Sequence, residues 1–316
     1  RLLGELGLAK AARVEAAEEG GGTVLNGGLL QAGFWNGVTA PAQAEQFRKT
    51  AKELARIYDE EFPDVPRQDD SALTAEQMHA LDRTPFQQWI TQRLGAVHPH
   101  VRTYFREYCW SSFGGDPAEL SAAQALNFLT ADLHGIWVFP GGNACVAQAL
   151  AEKLVQALPA ERLRTQALVF DVALNAAGVR VAYADAAGGI HAVQARACIL
   201  ACPKFAARHL IADLKAQAPE QLAAMRKLKY RAYLVANGLL EGRLPSPGYD
   251  LFRLDPRAEH EADTETAAKA AGFTDVVLGA WASHDGPDRA VLTLYKGYPY
   301  DDGREELLKD GAYAAA

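Results

Sequence analysis

The chain has 316 residues, 49% hydrophobic and 22% charged, enough to bury a large core and to form two structural units. A net charge of -7 argues against a nucleic-acid partner, whose phosphates call for a basic face. No run of about 18 apolar residues offers a membrane span, so the expected partner is a small molecule.

In chain order, residues 1–14 read as a helix, and the Gly-rich stretch Gly20-Gly21-Gly22-Thr23-Val24-Leu25-Asn26-Gly27-Gly28 follows. It is not a dinucleotide turn, because Leu25 stands where a third glycine should be. It is not a phosphate-binding P-loop, because no Lys follows Gly27. Residues 42–62 repeat apolar positions at Phe47, Leu54, Ile57 and Tyr58, a helical period. Ser71 and Thr74 supply start signals for a helix over 75–82, Pro85 opens one over 86–94, and Pro99 precedes one over 100–110. Ser121 is placed to cap 122–133 by accepting a bond from an orphan backbone N–H. Phe139-Pro140-Gly141-Gly142-Asn143 then leads into an amphipathic stretch, 144–158. Paired glycines there permit close backbone approach or positive φ, and Asn143 can cap. The same residues also serve as a tight, ligand-free helix start.

The period then changes. Residues 168–174, 179–184 and 190–201 are β-branched-rich runs separated by Asn175-Ala176-Ala177-Gly178 and Asp185-Ala186-Ala187-Gly188-Gly189, which predicts an antiparallel meander. Further strands are expected over 230–240, 275–281 and 290–295, with a polar Ala/Glu-rich insertion at 257–271, giving a second sheet. The fold class is therefore α+β.

Other chemistries are set aside. The four cysteines, Cys109, Cys145, Cys198 and Cys202, are too few for a disulfide scaffold and read as small buried apolar residues. His98-Pro99-His100 reads as a capped loop, not a metal site. His260-Glu261 lacks the second His of a zinc-protease helix, and Ser283-His284-Asp285 are merely adjacent in sequence, which is not how a triad is built. The aromatic stretch Tyr104, Phe105, Tyr108, Trp110 and Phe113 reads as core.

Taken in order, Pro140-Gly141-Gly142-Asn143, the three-strand run and the closing Ala197-Cys198-Ile199-Leu200-Ala201-Cys202-Pro203 resemble the middle of a flavin-dependent amine oxidase. That superfamily includes phytoene desaturases, protoporphyrinogen oxidases and spermidine dehydrogenase-like enzymes, and the likeness runs from Tyr104 to the C-terminus. It implies FAD as cofactor and hydride transfer from an amine, or from a C–C or C–N bond of a small-molecule substrate, to flavin N5. It also implies a helical substrate-side region over 1–158, a three-stranded portion of the FAD-binding domain over 159–212, and a substrate-domain antiparallel sheet over 213–316. Such proteins open with a Gly-x-Gly-x-x-Gly turn that this sequence lacks, so the chain reads as an internal fragment, expected not to hold FAD stoichiometrically by itself. Carried over by position, Gly141 and Gly142 face the cofactor, Val169 contacts its adenine through the backbone, and Ala201 and Cys202 neighbour its diphosphate. An ungapped match puts Asn237, at the end of a strand, where many amine oxidases present a lysine that holds a water at N5. An amide orients a water but carries no charge, which favours a dehydrogenase over an oxidase. Plain sheet core for Val169, Ala201 and Cys202, and a turn or strand-end role for Asn237, are the structural alternatives. For the whole protein the alternative is a noncatalytic binding or scaffold protein without cofactor.

Overall fold

A computed structural model describes residues 2–15, 22–65, 72–242, 248–254, 272–279, 281–282, 289–299 and 303–309. Its helices are α1 (Leu2–Glu5), α2 (Ala44–Glu60), α3 (Ala75–Arg83), α4 (Phe86–Trp89, continued by a π-turn over Ile90–Leu94), α5 (Pro99–Phe113), α6 (Ala122–His134) and α7 (Ala144–Ala157). They continue as α8 (Lys204–Leu210), α9 (Leu214–Gln217), α10 (Pro219–Lys227) and α11 (Gly303–Leu308). The strands are β1 (Arg13–Glu15), β2 (Thr23–Asn26), β3 (Leu29–Ala32), β4 (Ile136–Val138), β5 (Leu168–Asn175), β6 (Gly178–Ala184), β7 (Ile190–Ala195), β8 (Tyr233–Glu241), β9 (Asp250–Leu254), β10 (Asp275–Leu278) and β11 (Arg289–Gly297).

Local signals account for most helix starts. Thr74 and Gln77 form a reciprocal capping box at α3, with Gln77 N donating to Thr74 Oγ1 at 3.2 Å and Thr74 N donating to Gln77 Oε1 at 2.8 Å. Ser121 Oγ accepts from Gln124 N at the start of α6. His98 accepts the His100 backbone N–H at 3.1 Å and so caps α5. Among the described residues no group of three His, Cys, Asp or Glu side chains is placed to hold a metal ion.

The chain divides into two compact units, Arg1–Gln148 with Arg231–Ala316, and Ala149–Tyr230. In the first, six strands form a sheet in the order β3-β2-β9-β10-β11-β8, antiparallel throughout except for the parallel pair β2 and β9. Helix α5 packs on one face of this sheet: Tyr104 and Tyr108 meet Phe252 of β9 with ring centroids 5.0 and 5.6 Å apart. Phe34, Phe47, Leu54, Phe86, Phe105 and Leu126 fill the space between the helices, each almost fully buried, so the aromatic stretch is core. In the second unit β5, β6 and β7 form the antiparallel meander, with Asn175 and Gly178 closing its first turn.

Three expectations are corrected, and the Gly-rich stretch, for which no element was expected, is assigned. Residues 1–14 are not one helix: α1 ends at Glu5, and Arg13–Glu15 pairs with β4, since Gly7 sits at φ 75° and stops the helix. The Gly-rich stretch contributes a hairpin, β2 and β3, to the six-stranded sheet, so strands from both ends of the sequence build it. The third meander strand ends at Ala195 and not at Ala201. Of the cysteines only Cys109 is buried, and Cys198 is exposed. The 257–271 insertion, Ser71, His260-Glu261 and Ser283-His284-Asp285 lie outside the described residues.

Candidate functional site

Gly141 and Gly142 form the turn that starts α7, at φ 78° and 89°, a left-handed region open to glycine at little cost. The Gly142 N–H closes the turn on the Phe139 carbonyl at 2.9 Å. A Cβ built on either glycine meets nothing within 4 Å. The pair is therefore required by its dihedrals and not by crowding. None of α7 is buried, and its apolar residues Leu150, Leu154 and Val155 remain exposed.

In the second unit Val169 is half-buried in β5, beside a bulge that shifts the register between Val169 and Asp171. Ala201 and Cys202 lie between β7 and α8 in a segment outside any strand, Ala201 exposed and Cys202 half-buried. The sheet-core reading therefore fails for these two, because the ladder has ended six residues earlier at Ala195.

Asn237 belongs to the first unit. It sits in the middle of β8, not at its end, opposite Thr293, whose Oγ1 donates to Asn237 Oδ1 at 2.9 Å. Strand alternation puts it on the same sheet face as Tyr233, and the Tyr233 hydroxyl donates to the Ser111 carbonyl of α5 at 2.6 Å. Asn237 itself is exposed. The structure thus places Gly141 and Gly142 together and Ala201 and Cys202 together, while Asn237 stands in the sheet of the first unit.

Two polar features of that sheet escape a reading by sequence. Under α5, Asp275 of β10 is buried and hydrogen-bonds to Ser111, Thr274 and Asp250, with Tyr295 opposite it on β11 and Tyr233 against Tyr295. Burial raises the Asp275 carboxyl above the ordinary carboxylate range, and Asp250 beside it adds a second acid. Burial and these acids likewise push the Tyr233 and Tyr295 hydroxyls up. On the opposite face Lys296 of β11 is half-buried, and burial first, then the charge of Arg253, lowers its ammonium below the ordinary lysine value. A charged residue interrupting the apolar alternation of β10 and β11 was the one available signal for either.

The family profile for flavin containing amine oxidoreductases matches residues 3–315. The chain belongs to that family. Solved structures agree in fold. A putrescine oxidase redesigned in its cofactor binding superposes with a TM-score of 0.58 at 16% identity, over 99% of this chain and 64% of that one. A CLA-producing fatty acid isomerase from P. acnes gives 0.59 at 14% identity, over 99% of this chain and 67% of that one. A protein from Pyrococcus furiosus gives 0.57 at 13% identity, over 97% and 68%. The chain thus spans just under two thirds of the putrescine oxidase. No curated protein matches it significantly in sequence. Among the described residues no helix is long and apolar enough to cross a membrane. The cofactor of the family is a flavin.

Proposed function

We propose that the protein is an FAD-dependent oxidoreductase that removes a hydride from an amine or from a C–C or C–N bond of a small-molecule substrate. The observation that carries this reading is the family match, which spans nearly the whole chain. When bound, the flavin supplies hydride acceptance, and the protein supplies orientation and exclusion of water. Gly141 and Gly142 would hold the cofactor with bare backbone, Val169 through its main chain, and Ala201 and Cys202 along the segment that precedes α8. Three regions serve these roles in the reading: 1–158 on the substrate side, 159–212 in the cofactor domain and 213–316 in the substrate-domain sheet. A putrescine oxidase and a fatty acid isomerase among the structural neighbours keep both amines and apolar compounds in view as substrates.

Asn237 is assigned to orient a water or the substrate. Its amide is already engaged by Thr293 through Oδ1, which fixes the side chain and leaves its NH2 group as the donor. The test is anaerobic stopped-flow reduction of the full-length protein with an amine and with a desaturation substrate. Asn237→Leu is expected to slow flavin reduction roughly 10- to 1000-fold and leave FAD binding unchanged, the range for losing one positioned polar group at a reacting centre. An unchanged rate makes Asn237 a strand-pairing residue only. A full-length protein purified without flavin absorbance, and taking none up, would overturn the enzyme reading in favour of a noncatalytic binding protein.

A further inference from the structure

Strand β8 ends the six-stranded sheet on one side, and β3, of four residues, ends it on the other. β8 runs for nine residues and pairs with β11 over its whole length without a register shift, so it carries no bulge. Only one of its edges is used. Tyr298 N donates to the Ala232 carbonyl at 3.1 Å, and bonds along an antiparallel strand alternate between its two sides. Leu234, Ala236, Gly238 and Leu240 therefore bond to β11, while the N–H and C=O groups of Tyr233, Val235, Asn237, Leu239 and Glu241 point away from the sheet. Among the described residues no strand pairs with that edge.

Natural sheets guard a free edge with a short strand, a bulge, a proline or charged side chains. The β3 edge is short. From Tyr233 to Leu240 the β8 edge has none of these guards, and its exposed side chains include Val235 at 46% and Leu239 at 83%. The strand also matches itself read backwards. Laid antiparallel on a second copy with Asn237 on the two-fold axis, Leu234 meets Leu240, Val235 meets Leu239 and Ala236 meets Gly238, large apolar against large and small against small. The single charge, Glu241, already stands opposite Arg289 within its own sheet. The axis sends the two Glu241 side chains to opposite ends of the paired strands, roughly 27 Å apart, so they do not repel.

We infer that β8 is a self-association edge, through which two copies of this chain join their six-stranded sheets antiparallel about a two-fold axis at Asn237. In that register the outward residues fall opposite one another, Tyr233 with Glu241, Val235 with Leu239 and Asn237 with its own copy, so each outward N–H meets a carbonyl of the second copy. A second copy fits better than an unrelated strand because every pairing is made twice, once from each side. Edge pairing alone buries less than a standard interface of about 1,600 Å², so dissociation in the micromolar range is expected. The inference does not rest on the flavin reading, and its test needs no flavin, so either can fail alone.

The test is sedimentation equilibrium of the full-length protein from about 1 to 200 µM. Twice the monomer mass is expected at the top of the range, falling to the monomer on dilution. Leu239→Pro removes an N–H that β11 does not use, so it should leave the sheet intact and weaken association by about tenfold or more. Val235→Lys with Leu239→Lys sets lysine against lysine across the axis and should leave a monomer. Val235→Lys with Leu239→Glu sets each lysine against a glutamate of the second copy and should restore the dimer to within about tenfold of the parent. The backbone N–H groups of Val235, Asn237 and Leu239 should exchange fast in the dilute monomer and slowly in the dimer. A parent that stays monomeric at the highest concentration overturns the inference, and so does a dimer that survives both Leu239→Pro and the paired lysines, which would lie on another surface. Equal protection of those three N–H groups at both concentrations means that the chain itself covers the edge, and overturns it as well. Because mass and exchange are read on the unsubstituted protein, the proposal stays refutable even if a variant does not fold.

Discussion

Gly297 of β11 lies close against the C-terminal end of α5, and replacing it by Ala measures how rigidly that contact is set. A Cβ there would stand 2.7 Å from the Trp110 carbonyl oxygen, 3.0 Å from Gly114 Cα and 3.4 Å from the Trp110 ring. Ordinary contact begins near 3.4 Å, so the helix end and β11 must separate by about 0.7 Å. Two of the three obstructing atoms are backbone, which cannot rotate away. Overpacking a filled core costs about 1–3 kcal/mol, and a backbone obstruction belongs in the upper part, about 2–3 kcal/mol. The control is Gly238→Ala in β8, where the new methyl lies 3.9 Å from Leu292 and displaces nothing. That change is expected to gain about 0.5–1 kcal/mol, since glycine is a poor strand-interior residue. Urea unfolding of the two variants beside the parent, followed by tryptophan fluorescence, gives both numbers. If Gly297→Ala lies within about 0.5 kcal/mol of the parent, or the two variants behave alike, α5 is not held against β11 as described.

Asp275→Asn tests the buried acid pair through pH. Because burial raises the Asp275 carboxyl, the folded chain keeps its proton to a higher pH than the unfolded chain, so this group's contribution falls as pH rises from the ordinary carboxylate range through the raised one. The variant should flatten that fall, gaining on the parent as pH increases; parallel stability–pH curves would refute the assignment. Gly142→Ala should cost about 1–2 kcal/mol for the left-handed φ alone, because no atom lies within 4 Å of the new methyl. In the full-length protein it is also expected to weaken FAD binding more than tenfold, measured by flavin fluorescence quenching, and an unchanged affinity would make the turn purely structural.

Local chemistry was legible in the sequence. Thr74, Ser121 and the apolar spacing of Phe47, Leu54 and Ile57 specify helices by bonds and contacts within a few residues, and the turns at Asn175-Ala176-Ala177-Gly178 and Asp185 specify the meander. The ordered glycine turn, strands and closing segment also carried the family, because such a resemblance needs only sequence order. What the sequence by itself could not fix was pairing between distant segments: that Thr23–Asn26 would lie parallel to β9 more than two hundred residues later, or that Arg13 would pair β1 with β4 instead of extending a helix. Register decides the rest. One step along β8 or β11 exchanges the faces, so whether Asn237 stands on the side of α5, and whether Lys296 and Arg253 flank Thr274 on the other, depends on alignments set only when the strands dock.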